Sequence, residues 1–192
     1  MNQPKNAATS VAPGPWVLAT LILVAALSRL LPHPPNFSPV EAIALFGGAF
    51  FASRALALLV PLLAMLVADL ALGLVHGGLF SGWIGSAGFW LVYLCIAATV
   101  VLGFNLRGRA GSARVLGYCL AGSVLFYVVT NFGAWLGSPI YPRNGAGLLQ
   151  AYVAGIPFFK WTLLGTIAYA ALLFGGFSLL RARLPVLRTQ TV

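Results

Sequence analysis

The chain has 192 residues, 60% of them hydrophobic and 7% charged, with 11 Lys or Arg against two acids, Glu41 and Asp69. A soluble domain carries about 25% charged residues and needs them to cover its surface, while a disordered chain is far less apolar. That composition describes an integral membrane protein small enough to be one domain. Its basic residues are scattered, not gathered into the patch or stripe that binds nucleic acid.

In chain order, residues 1–15 are polar, hold Pro4, Pro13 and Pro15, and read as a loose tail. The first apolar run, 16–31, follows Lys5 but no A-x-A cleavage site follows it, so it reads as a retained helix. The second run, 39–53, is short and carries Gly47-Gly48; it reads as tilted, broken or partly inserted. The third, 55–75, contains Pro61, which predicts a kink. Runs at 84–105, 115–136 and 155–180 follow. A span needs roughly 20 apolar residues. The expected fold is therefore all-α: a polytopic bundle of six transmembrane helices over 16–182, between the tail 1–15 and a basic tail 183–192. Ala64 with Ala68, and Gly117 with Ala121, have the small-xxx-small spacing of helix packing. Cys95 and Cys119 lie inside apolar runs and read as buried hydrophobes.

Charge gives the orientation. Lys5, Arg54, Arg107, Arg109, Arg114, Arg181, Arg183 and Arg188 fall on one side of a six-helix arrangement, and Arg29, Arg143 and Lys160 on the other. The positive-inside rule places both termini in the cytoplasm of a plasma (inner) membrane.

The outward side is the chemically elaborate one. Segments 32–41, 68–78, 130–145 and 151–161 hold both acids, both histidines and most interior prolines. A central acid costs about 2.5–3.5 kcal/mol to insert and marks function by default. Asp69 and Glu41 therefore lead the candidate binding residues, with Lys160 and Arg143 as counter-ions; a structural ion pair is the plainer alternative. Asn36, Asn131 and His76 add polar contacts. His33, in P-H-P-P-N, reads first as a loop-geometry residue. Trp83, Trp90, Trp135, Tyr141, Tyr152, Phe158, Phe159 and Trp161 gather toward this face, as an interfacial belt or as the lining of an aromatic pocket. The 137–157 segment, with Pro139, Pro142, Gly145 and Gly147, reads as a loop able to act as a lid.

Catalytic and metal constellations are missing from the sequence. There is no H-x-x-x-H, no G-x-x-x-x-G-K-[ST], and one Asp cannot make a two-Asp protease. Gly85-Ser86-Ala87-Gly88 has the wrong order for a nucleophile elbow. Neither catalysis nor a cofactor or metal is expected.

Together, R-x-L-P-H-P-P-N-F-S-P-V-E-A-I-A-L-F-G-G-A-F-F (29–51), V-P-L-L-A-M-L-V-A-D-L-A-L-G (60–73), T-N-F-G-A-W-L (130–136), Y-P (141–142), G-L (147–148) and I-P-F-F (156–159) resemble a family of six-helix bacterial membrane proteins regarded as transport proteins. The resemblance covers about 29–175. That family is similar in turn to the S components of energy-coupling-factor (ECF) vitamin transporters, which implies six helices, both termini inside and a solute site near the outer face. A more distant likeness reaches the solitary BtuM-type cobalamin transporters, in which a cysteine beyond helix three is expected to meet cobalt. Residues 74–88 hold no cysteine, and His76 is their strong donor. The A-x-x-x-A pattern with which S components dock on an energising module is absent from 16–31. The leading expectation is a transport protein binding a small organic or vitamin-like solute, in the lipid bilayer, alone or with an ECF-type module. An accessory subunit without a ligand is the alternative, and an intramembrane enzyme stands further back.

Overall fold

The computed structural model describes residues 13–77, 82 and 84–192, excluding the side chains of His76, Thr189 and Gln190. In order these form α1 (Pro13–Leu27) with a 3-10 turn (Ser28–Leu30), α2 (Val40–Phe50), α3 (Arg54–His76), α4 (Ala87–Gly103) with a 3-10 turn (Phe104–Leu106), α5 (Ser112–Gly137), α6 (Gly145–Ala170), a π-helical turn (Ala171–Gly175), α7 (Gly176–Arg183) and α8 (Val186–Gln190). No strand occurs among the described residues. Five stretches are long and apolar enough to cross a membrane: Pro13–Leu30, Arg54–Val75, Ala87–Leu106, Ser112–Gly137 and Gly145–Arg183. With α2 as a shorter sixth helix, this is the length and composition of a multi-pass membrane protein.

Helix α2 is the axis of the bundle. All 11 of its residues are buried, and α1, α3, α4, α5 and α6 surround it. It is neither tilted through lipid nor broken at Gly47-Gly48. A helix that touches only protein does not need the hydrophobic length of a span. The two glycines are what let its neighbours close in. A Cβ on Gly103 would stand 2.6 Å from the Leu45 carbonyl and 3.1 Å from Gly48 Cα, so α2 and α4 cross backbone to backbone. A Cβ on Gly47 would meet Pro61 Cγ at 2.7 Å and the Ala57 carbonyl at 3.2 Å. Pro61 has no N–H, so that carbonyl lacks its ordinary helical donor. The ring seats against Gly47 at this point.

The ends of α2 also find partners. A short buried helix exposes orphan N–H groups at its start and orphan carbonyls at its end, with a partial charge at each. Glu41 sits in the first turn. Arg107 Nε and Nη2 donate to the Gly48 and Phe51 carbonyls (3.0 and 2.8 Å) at the other end. Beyond it, Phe46, Phe50, Phe174 and Phe177 pack edge-on or tilted, with centroids 4.8–5.5 Å apart. Phe174 reaches this cluster from the π turn.

The same end collects the arginines of the connections: Arg54 and Arg107 over the Phe104 ring, Arg181 over Phe50, and Arg188 donating to the Arg181 carbonyl. The C-terminal segment packs here as well. Leu187 is buried and the Val192 N–H donates to the Phe50 carbonyl (3.1 Å).

Several expectations shift. Pro13–Pro15 begin α1 instead of belonging to a tail; proline suits a first helical turn. The last long helix begins at Gly145, ten residues before the apolar run suggests, so the expected 137–157 lid shrinks to the turn 138–144. Ala64 and Ala68 are buried as a packing pair should be, but Gly117 and Ala121 face outward, and nothing stands within 4 Å of a Cβ on Gly117. Helix α5 packs instead through Cys119, Gly122 and Ser123.

Candidate functional site

The two acids occupy different surroundings. Asp69, on α3, is buried with a side-chain exposure of 3%. Its Oδ1 accepts from Arg29 Nη1 (2.6 Å) and its Oδ2 from the Tyr93 hydroxyl (2.9 Å). Tyr93 is held by stacking on Phe89, centroids 4.2 Å apart. Arg29 stands in the 3-10 turn after α1, positioned by its neighbour. Ser28 Oγ donates to the Ala25 carbonyl (2.6 Å), which commits its proton, so the Tyr169 hydroxyl at 2.7 Å donates to it. The turn after α1 is thus tied to α3, α4 and α6.

This corrects the expected counter-ions. Arg29 pairs with Asp69, whereas Arg143 lies over the Trp135 ring and donates to the Trp135 carbonyl (2.6 Å), and Lys160 lies over the Trp161 ring. Lys160 is not at the start of its helix but some four turns into it.

A cavity of about 980 Å³ opens beside the ion pair. Arg29, Asp69, His33, Asn36, Ser38 and Thr130 give its polar lining; Leu30, Leu31, Val40, Met65, Leu72, Val92 and Phe126 give most of the rest. Its cover is the 31–39 segment. Pro32, Pro34, Pro35 and Pro39 restrict that segment, Asn36 adopts φ +64°, a conformation Asn tolerates, and His33 Nδ1 donates to the Pro34 carbonyl (2.9 Å). Ser38 is pinned to α6: a Cβ on Gly165 would lie 2.8 Å from Ser38 N. Phe37 meets the Tyr169 ring with centroids 6.0 Å apart.

Glu41 is not among the residues lining this cavity. It is 2% exposed, and its Oε2 accepts from Thr166 Oγ1 (3.2 Å). Ser123 Oγ donates to the same Thr166 hydroxyl (3.3 Å). Thr99, buried nearby against Gly122, has no partner for its hydroxyl among the described residues. Glu41 therefore belongs to a polar seam between α2, α5 and α6.

Asn131, Trp135, Arg143 and Tyr152, also expected at the site, hold the α5–α6 hairpin and its turn together. Asn131 Nδ2 donates to the Tyr127 carbonyl (2.8 Å), and its amide presses against Gly155. The Tyr127 hydroxyl donates to the Tyr152 carbonyl (2.6 Å) and the Tyr152 hydroxyl to the Val128 carbonyl (3.0 Å). Trp135 Nε1 donates to the Pro142 carbonyl (2.9 Å). Tyr141 sits half-buried in the 138–144 turn, and Phe158 is exposed on α6. Of the expected residues, Asp69 and Asn36 meet at the cavity; Asn131, Trp135, Tyr141, Arg143, Tyr152, Phe158 and Lys160 do not line it. The His76 side chain, Trp83 and residues 78–81 lie outside the described residues. Sequence reasoning missed Arg29, Tyr93, Thr130 and Met65. An arginine at the end of an apolar run was the available signal for Arg29, since it too needs a partner.

A second cavity, about 540 Å³, lies at the arginine-rich end beside Phe50, Phe174, Arg181 and Arg188. Both arginines donate to backbone carbonyls there.

The chain belongs to a family of unknown function, DUF6580, which it matches over residues 9–187. No curated protein and no solved structure matches it.

Proposed function

We propose that this member of DUF6580 is a solute-binding membrane protein, with a small organic molecule held in the cavity beneath the 31–39 segment. The observation that carries the reading is the 980 Å³ cavity with the Arg29–Asp69 pair in its wall. The volume falls within the roughly 300–1,000 Å³ of small-molecule sites, and the mainly apolar lining with a few convergent polar groups suits one. An ion pair set in a bundle of apolar helices is costly to keep without a role.

The resemblance to ECF S components supports the same function: uptake of a vitamin-like compound, with the cavity facing outward. The gathering of Arg54, Arg107, Arg109, Arg181 and Arg188 in the connections at the opposite end supports placing that end, with both termini, in the cytoplasm of a plasma (inner) membrane. Helix α2 then counts as a sixth element without needing to touch lipid. Energy from nucleotide hydrolysis, where used, comes from a partner module, because this sequence has no phosphate-binding loop.

One observation favours a second reading, an accessory subunit: Gly117 and Ala121 present a small-residue pair outward from α5, the surface on which another helix packs closely.

Mass spectrometry of small molecules co-purifying with the mildly extracted protein separates the two. A solute-binding protein yields one specific compound from the wild type and none from Met65→Trp, which fills the cavity and stays folded by circular dichroism. Recovery of no specific compound from the wild type favours the accessory subunit.

A further inference from the structure

We infer that the solute carries an oxyanion head, a carboxylate or phosphate, on an apolar body, and that Arg29 is the residue that meets it; this rests on the cavity being the binding site. Asp69 is the more conspicuous charge, yet it is poorly placed to bind. Both its oxygens already accept short hydrogen bonds, and 3% of its side chain is exposed. Arg29 is in the opposite position. Its side chain is 16% exposed and lines the cavity, and a single donor, Nη1, is used on Asp69. Among the described residues no hydrogen bond engages its Nε or Nη2. Those two groups share one edge of the guanidinium, the edge that grips a carboxylate or phosphate through parallel hydrogen bonds. Asp69 and Tyr93 are then positioning residues, which fix the plane of the guanidinium and leave that edge free.

The rest of the lining agrees. No second acid reaches the cavity to neutralise an incoming cation. Asn36, Ser38 and Thr130 offer neutral polar contacts. Met65, Leu72, Val92 and Phe126 offer an apolar wall for the body of the molecule.

The test uses three probes of one skeleton, 4-phenylbutyrate, its amide and 4-phenylbutylamine, measured by native mass spectrometry and thermal shift on the detergent-solubilised protein. Phosphatidylglycerol forms a fourth arm, for an anion arriving from the bilayer. Either 4-phenylbutyrate or phosphatidylglycerol should bind saturably, at least about tenfold tighter than amine and amide, the discrimination expected of one charge-assisted hydrogen bond. Whichever anion binds identifies the source. The preference should vanish in Arg29→Gln. Because that variant strands Asp69, the double variant Arg29→Gln/Asp69→Asn serves as a second, neutral pair that keeps an amide hydrogen bond and should show the same loss. Met65→Trp fills the cavity with the pair intact and should abolish binding of every probe. Equal binding of the amine, unchanged anion binding in both Arg29 variants, or no binding of either anion overturns the assignment. If all probes bind alike and Met65→Trp removes them, the anion assignment fails and the cavity stands. If Met65→Trp changes nothing, the cavity itself is not the site.

Discussion

At the scale of single residues, Asp69 depends on Arg29 because it is held in surroundings that offer little water, whereas Arg29 also faces the cavity. Breaking such a pair costs more than the pair contributes, since the remaining charge is stranded. Arg29→Ala is therefore expected to destabilise the protein by on the order of 3 kcal/mol, read as a fall in unfolding temperature in detergent, while Asp69→Asn, whose one oxygen still accepts from Arg29 and whose amide nitrogen donates to the Tyr93 hydroxyl instead, costs less. If the two variants unfold alike, the asymmetry argued for the pair is wrong. Asp69 was legible in the sequence because acids are so scarce. Its partner was not, because Arg29 lies 40 residues away and enters by way of a turn that hydropathy runs into α1. Asn131, Trp135 and Tyr152 had the residue types of a site, yet their polar atoms go to backbone carbonyls of the α5–α6 hairpin. Residue type alone does not separate those uses.

At the scale of elements, α2 decides the packing. Its seam with α4 has no room for side chains, so Gly103→Ala should force the helices apart and cost on the order of 2 kcal/mol, as overpacking does. Gly117→Ala, facing outward, should change stability by no more than about 0.5 kcal/mol. Thermal unfolding of the two variants side by side checks this; a harmless Gly103→Ala would contradict the backbone-to-backbone crossing. The sequence announced α2 as an apolar run but not its place, because a helix buried in protein and one facing lipid have the same composition. The start of α6 was hidden for a different reason. Gly145 and Gly147 read as loop signals, but Gly147 is there for close contact with Pro142, as Gly155 is with Asn131.

At the scale of the whole molecule, a polar, cavity-bearing end is joined to an arginine-rich end through an apolar core. The proposed orientation rests on that asymmetry. In a background of Cys95→Ser and Cys119→Ser, Arg109→Cys should react with a membrane-impermeant thiol reagent only after the membrane is opened, and Ser138→Cys in intact cells; the reverse pattern would invert the topology. The long apolar helices were legible from hydropathy. The cavity was not, since it is made by residues from the 3-10 turn after α1, the 31–39 segment, α2, α3, α4 and α5, which meet only in the folded bundle. The most direct test of the site is an experimental structure of the mildly extracted protein, at a resolution that shows bound small molecules. Non-protein density is expected in the cavity, within hydrogen-bonding distance of the Arg29 guanidinium. A cavity holding only water, with a ligand bound instead at the Trp135–Arg143 turn, would contradict it.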